Sequence, residues 1–496
     1  LDSQTLRSTI KTARDQMRKD DNISTDVEAI PQFSWIMFLK CFDDLELRQE
    51  TIDPEYKRVI PKGYRWRDWA SETIDGKQKK VFTGDDLIKF VNDDLFPKLA
   101  SLIGRKEHRQ KDIIASIFRE LTNRFVNGFV LRKVLNLVNK VGFVSTDEIH
   151  TMAHMYEQML IEMRDAAGTH GEFYTPRPVI QFIVNQINPD LQKSEKVLDP
   201  ACGTGGFLIE SLTHMKAQAG PKSDYSKLMT ETIYGIEKKP MPYLLGMMNM
   251  LLHEMDKPNI IRKNTLGTPL REISADNQYD VIMTNPPFGG EEEEGISLNL
   301  PVGMRTSDTA AAFLLYIMAS LKNDGRCAII LPDGLLFATG VITKIKQKLL
   351  EEFNLYTIVR LPRSVFEPYT SIATNILFFE KKSAPTKSIW YYQMKVSDRV
   401  KSRAKEPKYS KTKPIKYEDF ANVEKWFKNK TKNDSAWRVN VKDIKDFNLD
   451  SNNPNITTEE SILPPSQLVE SFIDVRKEMI NVFEDVKKII DKEVPK

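Results

Sequence analysis

The sequence predicts an α/β fold: a mostly parallel sheet with helices on both faces, a helical domain before it and one helix after it. Three observations carry this. From about 166 to 395, short apolar runs alternate with helix-like stretches; residues 1 to about 165 have helical spacing almost throughout; and residues 464–496 carry a long apolar stripe at helical intervals.

Taken in order, "FSWIMFLKCFDDLE" and "IIASIFRELTNRF" mix apolar and charged residues at helical spacing, so 1–165 reads as a helical bundle. "GEFYTPRPV", Gly171 to Val179, comes next. Pro176 restricts its predecessor, which puts Phe173, Tyr174 and Thr175 on an extended segment leading into a helix. "KVLDPACGTGGF", "TIYGIEKK", "YDVIMTNPPF", "GRCAIILPDGLL" and "LYTIVRLP" each read as a buried strand running into a turn. Asp333 in "LPDGLL" is expected in a strand-end turn. "AAAFLLYIMASL" is too short to span a bilayer and reads as a core helix. Residues 396–463 turn basic ("RVKSRAKEPKYSKTKPIK") and are read as a solvated linker or hairpin edge in preference to a phosphate-binding patch. In 464–496, Leu468, Phe472, Val475, Met479, Val482, Val486 and Ile489 recur at steps of four and three, a coiled-coil seam. A second row, from Val469 to Ile490, widens the stripe beyond one partner helix.

At 496 residues and 57.1 kDa the chain has room for two to four domains, with 41% apolar and 28% charged residues in ordinary globular proportion. A net charge of +3 excludes a grip on nucleic acid by bulk charge alone. Cys41, Cys202 and Cys327 form no CxxC pair, which points to a reducing, intracellular setting, the cytoplasm. No signal peptide opens the chain, and the start at Leu1 is expected to follow a removed initiator segment. His170 and His253 lack the spacing of a zinc site. No P-loop motif occurs, so translocation is expected of other chains.

Four stretches carry chemistry. In "VLDPACGTGGFL" a strand ends at Asp199, and Gly203 and Gly205, with Ala201 and Thr204 beside them, precede a helix. Glycines there let a nucleotide-type cofactor approach the backbone. In "IYGIEKKP", Glu237 ends the next strand, where a carboxylate can accept from both hydroxyls of a ribose; its distance from the glycines exceeds the roughly 20 residues of dinucleotide enzymes. "FYT" could lie over the cofactor or simply pack. In "VIMTNPPFGG", Asn285, Pro286, Pro287 and Phe288 end a strand with unpaired acceptors beside a ring, a device for holding something flat that bears an amino group.

These stretches, in this order, resemble the amino-group DNA methyltransferases that use S-adenosylmethionine. With "VFEPYTSIATNILFFEKK", the match over about 150–385 resembles the modification (M) subunits of type I restriction–modification systems. Two positions depart: Ser364 and Glu254 stand where relatives usually carry glycine. The resemblance implies a Rossmann-like S-adenosylmethionine-dependent methyltransferase fold over 166–395 and transfer of a methyl group to adenine N6 in double-stranded DNA. It casts Asn285, Pro286, Pro287 and Phe288 as catalytic. Phe173, Tyr174, Thr175, Asp199, Ala201, Gly203, Thr204, Gly205 and Glu237 become cofactor residues, with Asn285 bordering both groups. Asn264, in "NTLG", is the candidate toward the cofactor's adenine, a core asparagine being the other reading. Glu291 to Glu294 are expected in a solvated loop. The implied partners are a specificity (S) subunit, a second M subunit and a restriction (R) subunit, with no membrane. Two alternatives stay open: methylation of RNA or protein glutamine, and a cofactor-binding assembly subunit without activity.

Overall fold

The alternating apolar runs form a nine-stranded sheet, ordered β11-β10-β8-β9-β7-β6-β3-β4-β5, in the computed structural model. Its strands are β3 (Val197–Asp199), β4 (Ile233–Glu237), β5 (Asn259–Arg262), β6 (Tyr279–Thr284), β7 (Leu321–Pro332), β8 (Asn354–Arg360), β9 (Thr374–Glu380), β10 (Ser388–Gln393) and β11 (Ala436–Asn440). A separate two-residue hairpin pairs β1 (Thr73–Ile74) with β2 (Lys77–Gln78). The structure describes residues 3–455 and Arg476, leaving out 75–76, 79, 105–108, 142–174, 220–226, 254, 256–257, 290–291, 294, 368–369, 371, 383, 401–406 and 411. Contacts divide the chain into Leu1–Ser451 and Asn452–Lys496. The terminal coiled-coil stripe lies outside the described residues.

β3 pairs in parallel with β4 on one side and β6 on the other. β5 extends the first side and β7 the second, both in parallel. β9 then runs antiparallel between β7 and β8, β10 is parallel to β8, and β11 closes the edge antiparallel. Alternation along each strand feeds two cores. Val197, Val281 and Met283 join helices Arg177–Ile187, Gly206–Gln218 and Pro240–Leu252 on one face. Leu198 and Ile282 join Thr309–Ser320 and Val341–Glu352 on the other. Covered on both faces, the strands can be apolar at every position, which is why they read as unbroken runs.

The five strands read from the sequence are β3, β4, β6, β7 and β8. "AAAFLLYIMASL" is the buried helix Thr309–Ser320. Three details differ from expectation. The run "IIASIFRELTNRF" is helical only through Phe118, because the chain then extends to give the Val126 and Asn127 amides to the Asp20 carboxylate at 3.1 and 2.9 Å. Asp333 begins a short helix, Asp333–Phe337, and accepts from Asn375 Nδ2. The basic region holds helix Ala421–Asn429 and strand β11, so the sheet continues beyond 395.

The N-terminal helices pack onto the sheet unit through helix Pro240–Leu252. Ser116 Oγ donates to the Tyr243 hydroxyl at 3.1 Å, and Arg262 Nη1 to the Ser116 carbonyl at 3.3 Å. Helix Asp26–Ile52 starts at a Thr25–Glu28 capping box, and the Thr25 and Ser24 amides hold the Glu28 carboxyl down at about 2. Among the described residues no helix is long and apolar enough to cross a membrane.

Candidate active site

In an open sheet, ligands bind beyond the carboxyl ends of the strands, where the strand order reverses. Here the chain runs outward from β3 to β4 and β5, then returns to place β6 on the other side of β3. At that crevice lies a cavity of about 350 Å³, walled by Asp199 from β3, Glu237 from β4 and Asn285 just past β6. Ala201, Gly203, Thr204, Asn264 and Thr175 also line it.

The glycine turn is built tightly. Gly203 and Gly205 have φ of +51° and +80°, a left-handed backbone that disfavours any side chain. The turn rests on helix Pro240–Leu252: a Cβ on Gly246 would stand 2.8 Å from the Gly203 carbonyl, and Asn249 Nδ2 donates to the Thr204 carbonyl at 2.9 Å. Gly205 does not line the cavity. It is the N-cap of helix Gly206–Gln218, and a Cβ there would face Gly246 and Met250 at 3.8 Å. Its expected place against the cofactor is therefore corrected to a backbone one.

The two strand-end carboxylates are wired differently. Asp199 Oδ1 accepts from the Thr284 hydroxyl at 2.7 Å and the Ala201 amide at 3.1 Å. Burial pushes its carboxyl up to about 7, against the pull of those two donors and with help from the nearby Glu237 charge. Glu237 accepts from the Gly203 and Lys239 amides at 2.9 and 2.7 Å and is raised as well, chiefly by burial. The Lys238 amide is a third donor, and since a carboxylate has about four acceptor sites, Glu237 keeps acceptor capacity for a hydroxyl.

Asn285 is the most informative residue. Its Nδ2 donates to Thr175 Oγ1 at 3.0 Å, which fixes the amide, while its Oδ1 is buried without a hydrogen-bond partner among the described residues. A buried acceptor left open is costly, on the order of 1–3 kcal/mol, unless a ligand fills it. Pro287 joins the cavity wall; Pro286 and Phe288 do not. Phe288 is half-buried and packs edge-to-face on Phe366, with centroids 5.6 Å apart. Phe173 and Tyr174 lie outside the described residues.

The sequence reading missed four contributors. Thr284 locks Asp199; its signal was a hydroxyl at the last strand position before Asn285. Gly246 and Asn249 hide in the apolar helix "MPYLLGMMNM". Glu292, expected in a solvated loop, lines the cavity: it accepts from Asn264 Nδ2 at 3.2 Å and pairs with Lys238 at 3.3 Å. Asn264 Oδ1 in turn accepts from the Leu266 amide. Ser364, the departure in "LPRSVF", is buried and accepts from the Tyr409 amide at 2.9 Å, a packing role.

The donor set suits a nucleoside-bearing cofactor: open hydroxyl acceptors on Glu237, a bare glycine backbone and a free amide oxygen beside them. The N-6 DNA Methylase family matches residues 147–462, and the HsdM N-terminal domain matches 6–138. The methylase subunit of the Escherichia coli type I restriction enzyme EcoEI is 45% identical over 90% of both chains. A crystallised modification subunit from Vibrio vulnificus, assigned to a type I restriction enzyme, is 44% identical, with a TM-score of 0.78 over 91% of this chain and 97% of that one. A chain from a structure of type I restriction–modification assembly is 34% identical, with a TM-score of 0.82 over the whole of both. The chain belongs to the N-6 DNA methylases, among the methylase, or modification, subunits of type I restriction enzymes.

Proposed function

We propose that the cavity binds S-adenosylmethionine and that Asn285 presents an adenine amino group to it. The chain is an adenine-N6 DNA methyltransferase, the modification subunit of a type I restriction–modification system. When bound, S-adenosylmethionine supplies an electrophilic methyl group on a sulfonium. Glu237 accepts the ribose hydroxyls, Asp199 and the Gly203 turn hold the polar end of the cofactor, and Asn264 meets its adenine. Adenine N6 is a poor nucleophile because its lone pair is delocalised into the ring. Asn285 Oδ1 and the Pro286 carbonyl accept its two N–H bonds, drawing the nitrogen toward tetrahedral geometry and freeing the pair. Such acceptors act on charge that develops in the transition state. Being neutral, they form no ion pair with the cationic cofactor. Phe288 offers a face to the base once it leaves the duplex.

One observation carries this reading: the buried, partnerless Oδ1 of Asn285 in the wall that also holds Asp199 and Glu237. Type I membership disfavours RNA or glutamine as acceptor, and the intact Asn285-to-Phe288 motif disfavours an inactive assembly subunit. The chain supplies no base-reading module that the sequence reveals, so an S subunit selects the site. A second M copy flanks the S subunit, an R subunit joins for cleavage, and the apolar stripe of 464–496 is the docking element for S. Incubation with labelled cofactor and S subunit, offered DNA, RNA or protein, tests the proposal. Label in adenine of DNA alone supports it; label in RNA or glutamine refutes it.

A further inference from the structure

Far from the cofactor crevice, the outer edge of the sheet carries a second hollow of about 420 Å³, at the amino ends of β8 and β10. A register shift in β8 between Leu355 and Thr357 sets its floor. Tyr356 in β8 and Trp390 in β10 share one face, and Arg438 of β11 lies directly across from Trp390 in the register. The Arg438 guanidinium sits over the Trp390 ring at 5.6 Å and donates to Ser388 Oγ at 2.8 Å. Lys382, Lys387 and Lys430 complete the wall. Against these four cations the adjoining carboxylate is Glu380, and it is engaged by Lys382 at 2.8 Å and by Asn354 Nδ2 at 2.8 Å. Among the described residues, Lys387, Lys430 and Arg438 have no ion pair.

Lys430 is set in place by unusual means. It follows helix Ala421–Asn429 with φ of +31°, a left-handed position where glycine would be unstrained. Its ammonium is held over two rings, 4.4 Å from the Tyr356 centroid and 4.6 Å from that of Phe427. Burial lowers its pKa to about 8. A strained backbone thus delivers a desolvated cation that makes no ion pair among the described residues, beside an arginine laid flat on tryptophan.

We infer that this hollow binds a nucleoside phosphate: the phosphate between Lys387, Lys430 and Arg438, the base on the exposed outer face of the Arg438 guanidinium that lies over Trp390. Cations lining a groove with aromatic platforms are the chemistry that recognises a phosphate joined to a flat ring. A free mononucleotide and the 5′-phosphorylated end of a nucleic-acid strand share it. The site is at the opposite end of the strands from Asp199, Glu237 and Asn285, so it is independent of methyl transfer.

Calorimetry on the full chain, with the cofactor cavity saturated by S-adenosylhomocysteine, tests this. Adenosine 5′-monophosphate, inorganic phosphate, adenosine and a 5′-phosphorylated trinucleotide are the probes. The monophosphate or the trinucleotide is expected to bind at one per chain, at least tenfold more tightly than phosphate or adenosine. Whichever binds tighter identifies the source, free nucleotide or strand end. Lys430→Gly removes the cation while relieving the strained backbone, so it should fold with an undiminished melting temperature and bind at least tenfold more weakly. Arg438→Gln should weaken binding by a similar factor. No binding of either nucleotide probe, or binding unchanged in both variants, overturns the inference.

Discussion

The amide of Asn285 is held at one end and open at the other, and that asymmetry makes single-residue predictions sharp. Asn285→Ala should lower single-turnover methylation by at least about 10²-fold, the usual cost of one pre-organised polar contact to developing charge. Cofactor affinity by calorimetry should stay within a few-fold, and its loss would reassign the residue. Thr175→Val leaves the amide unanchored and should lower the rate with less effect. Phe288→Ala should cost more than Phe288→Trp or Phe288→Tyr, because stacking needs only a π-face worth ~1–3 kcal/mol per base. A mismatched target, already partly unstacked, should recover part of the lost rate. Equal behaviour of all three variants on both substrates would make Phe288 a packing partner of Phe366 only.

Asp199 gives a pH signature at the same scale. Its folded carboxyl titrates at about 7, above the ordinary carboxylate range. The contribution to stability is therefore present at low pH and lost as pH rises through about 7 in the cofactor-free chain. A cationic cofactor favours the ionised form, so binding should release a proton, and affinity should climb with pH up to about 7 and then level off. Calorimetry in buffers of different ionisation enthalpy reads that proton; Asp199→Asn should flatten the profile.

Elements show what was legible and what was not. Strands β3, β4, β6, β7 and β8 are apolar runs ending in punctuation, so their pattern sufficed. β5 is four residues of which two are buried, one half-buried and one exposed, and β11 is five residues in a lysine-rich stretch; both are strands because a neighbour offers an edge, which local sequence cannot show. The cofactor motif was readable as a string, but the platform beneath it was not. Gly246 looks like any small residue in an apolar helix, and only the fold brings the Gly203 carbonyl against it. Gly246→Val should accordingly weaken cofactor binding at least tenfold while Asn285 stays untouched, measured by calorimetry beside a melting curve. For the apolar stripe of 464–496, truncation at Pro464 should leave a folded, cofactor-binding chain that no longer co-elutes with the S subunit on size exclusion. A normal complex would make that segment dispensable for assembly.

At the scale of the molecule, the order of strands in space departs from their order in the chain a second time, beyond the reversal at β3 and β6. β9 lies between β7 and β8, so β8, β10 and β11 reach the rest of the sheet only through it. During synthesis, the half that bears Asp199, Glu237 and Asn285 is complete once β7 has emerged at Pro332. β8 emerges next without its native neighbour β9, and β7 keeps a bare edge until residues 374–380 leave the ribosome. An open edge of that kind is a template for pairing with another chain. Ribosomes stalled between Pro332 and Thr374 should therefore carry nascent chains that already take up cofactor yet cling to one another, and release past Glu380 should end the clinging.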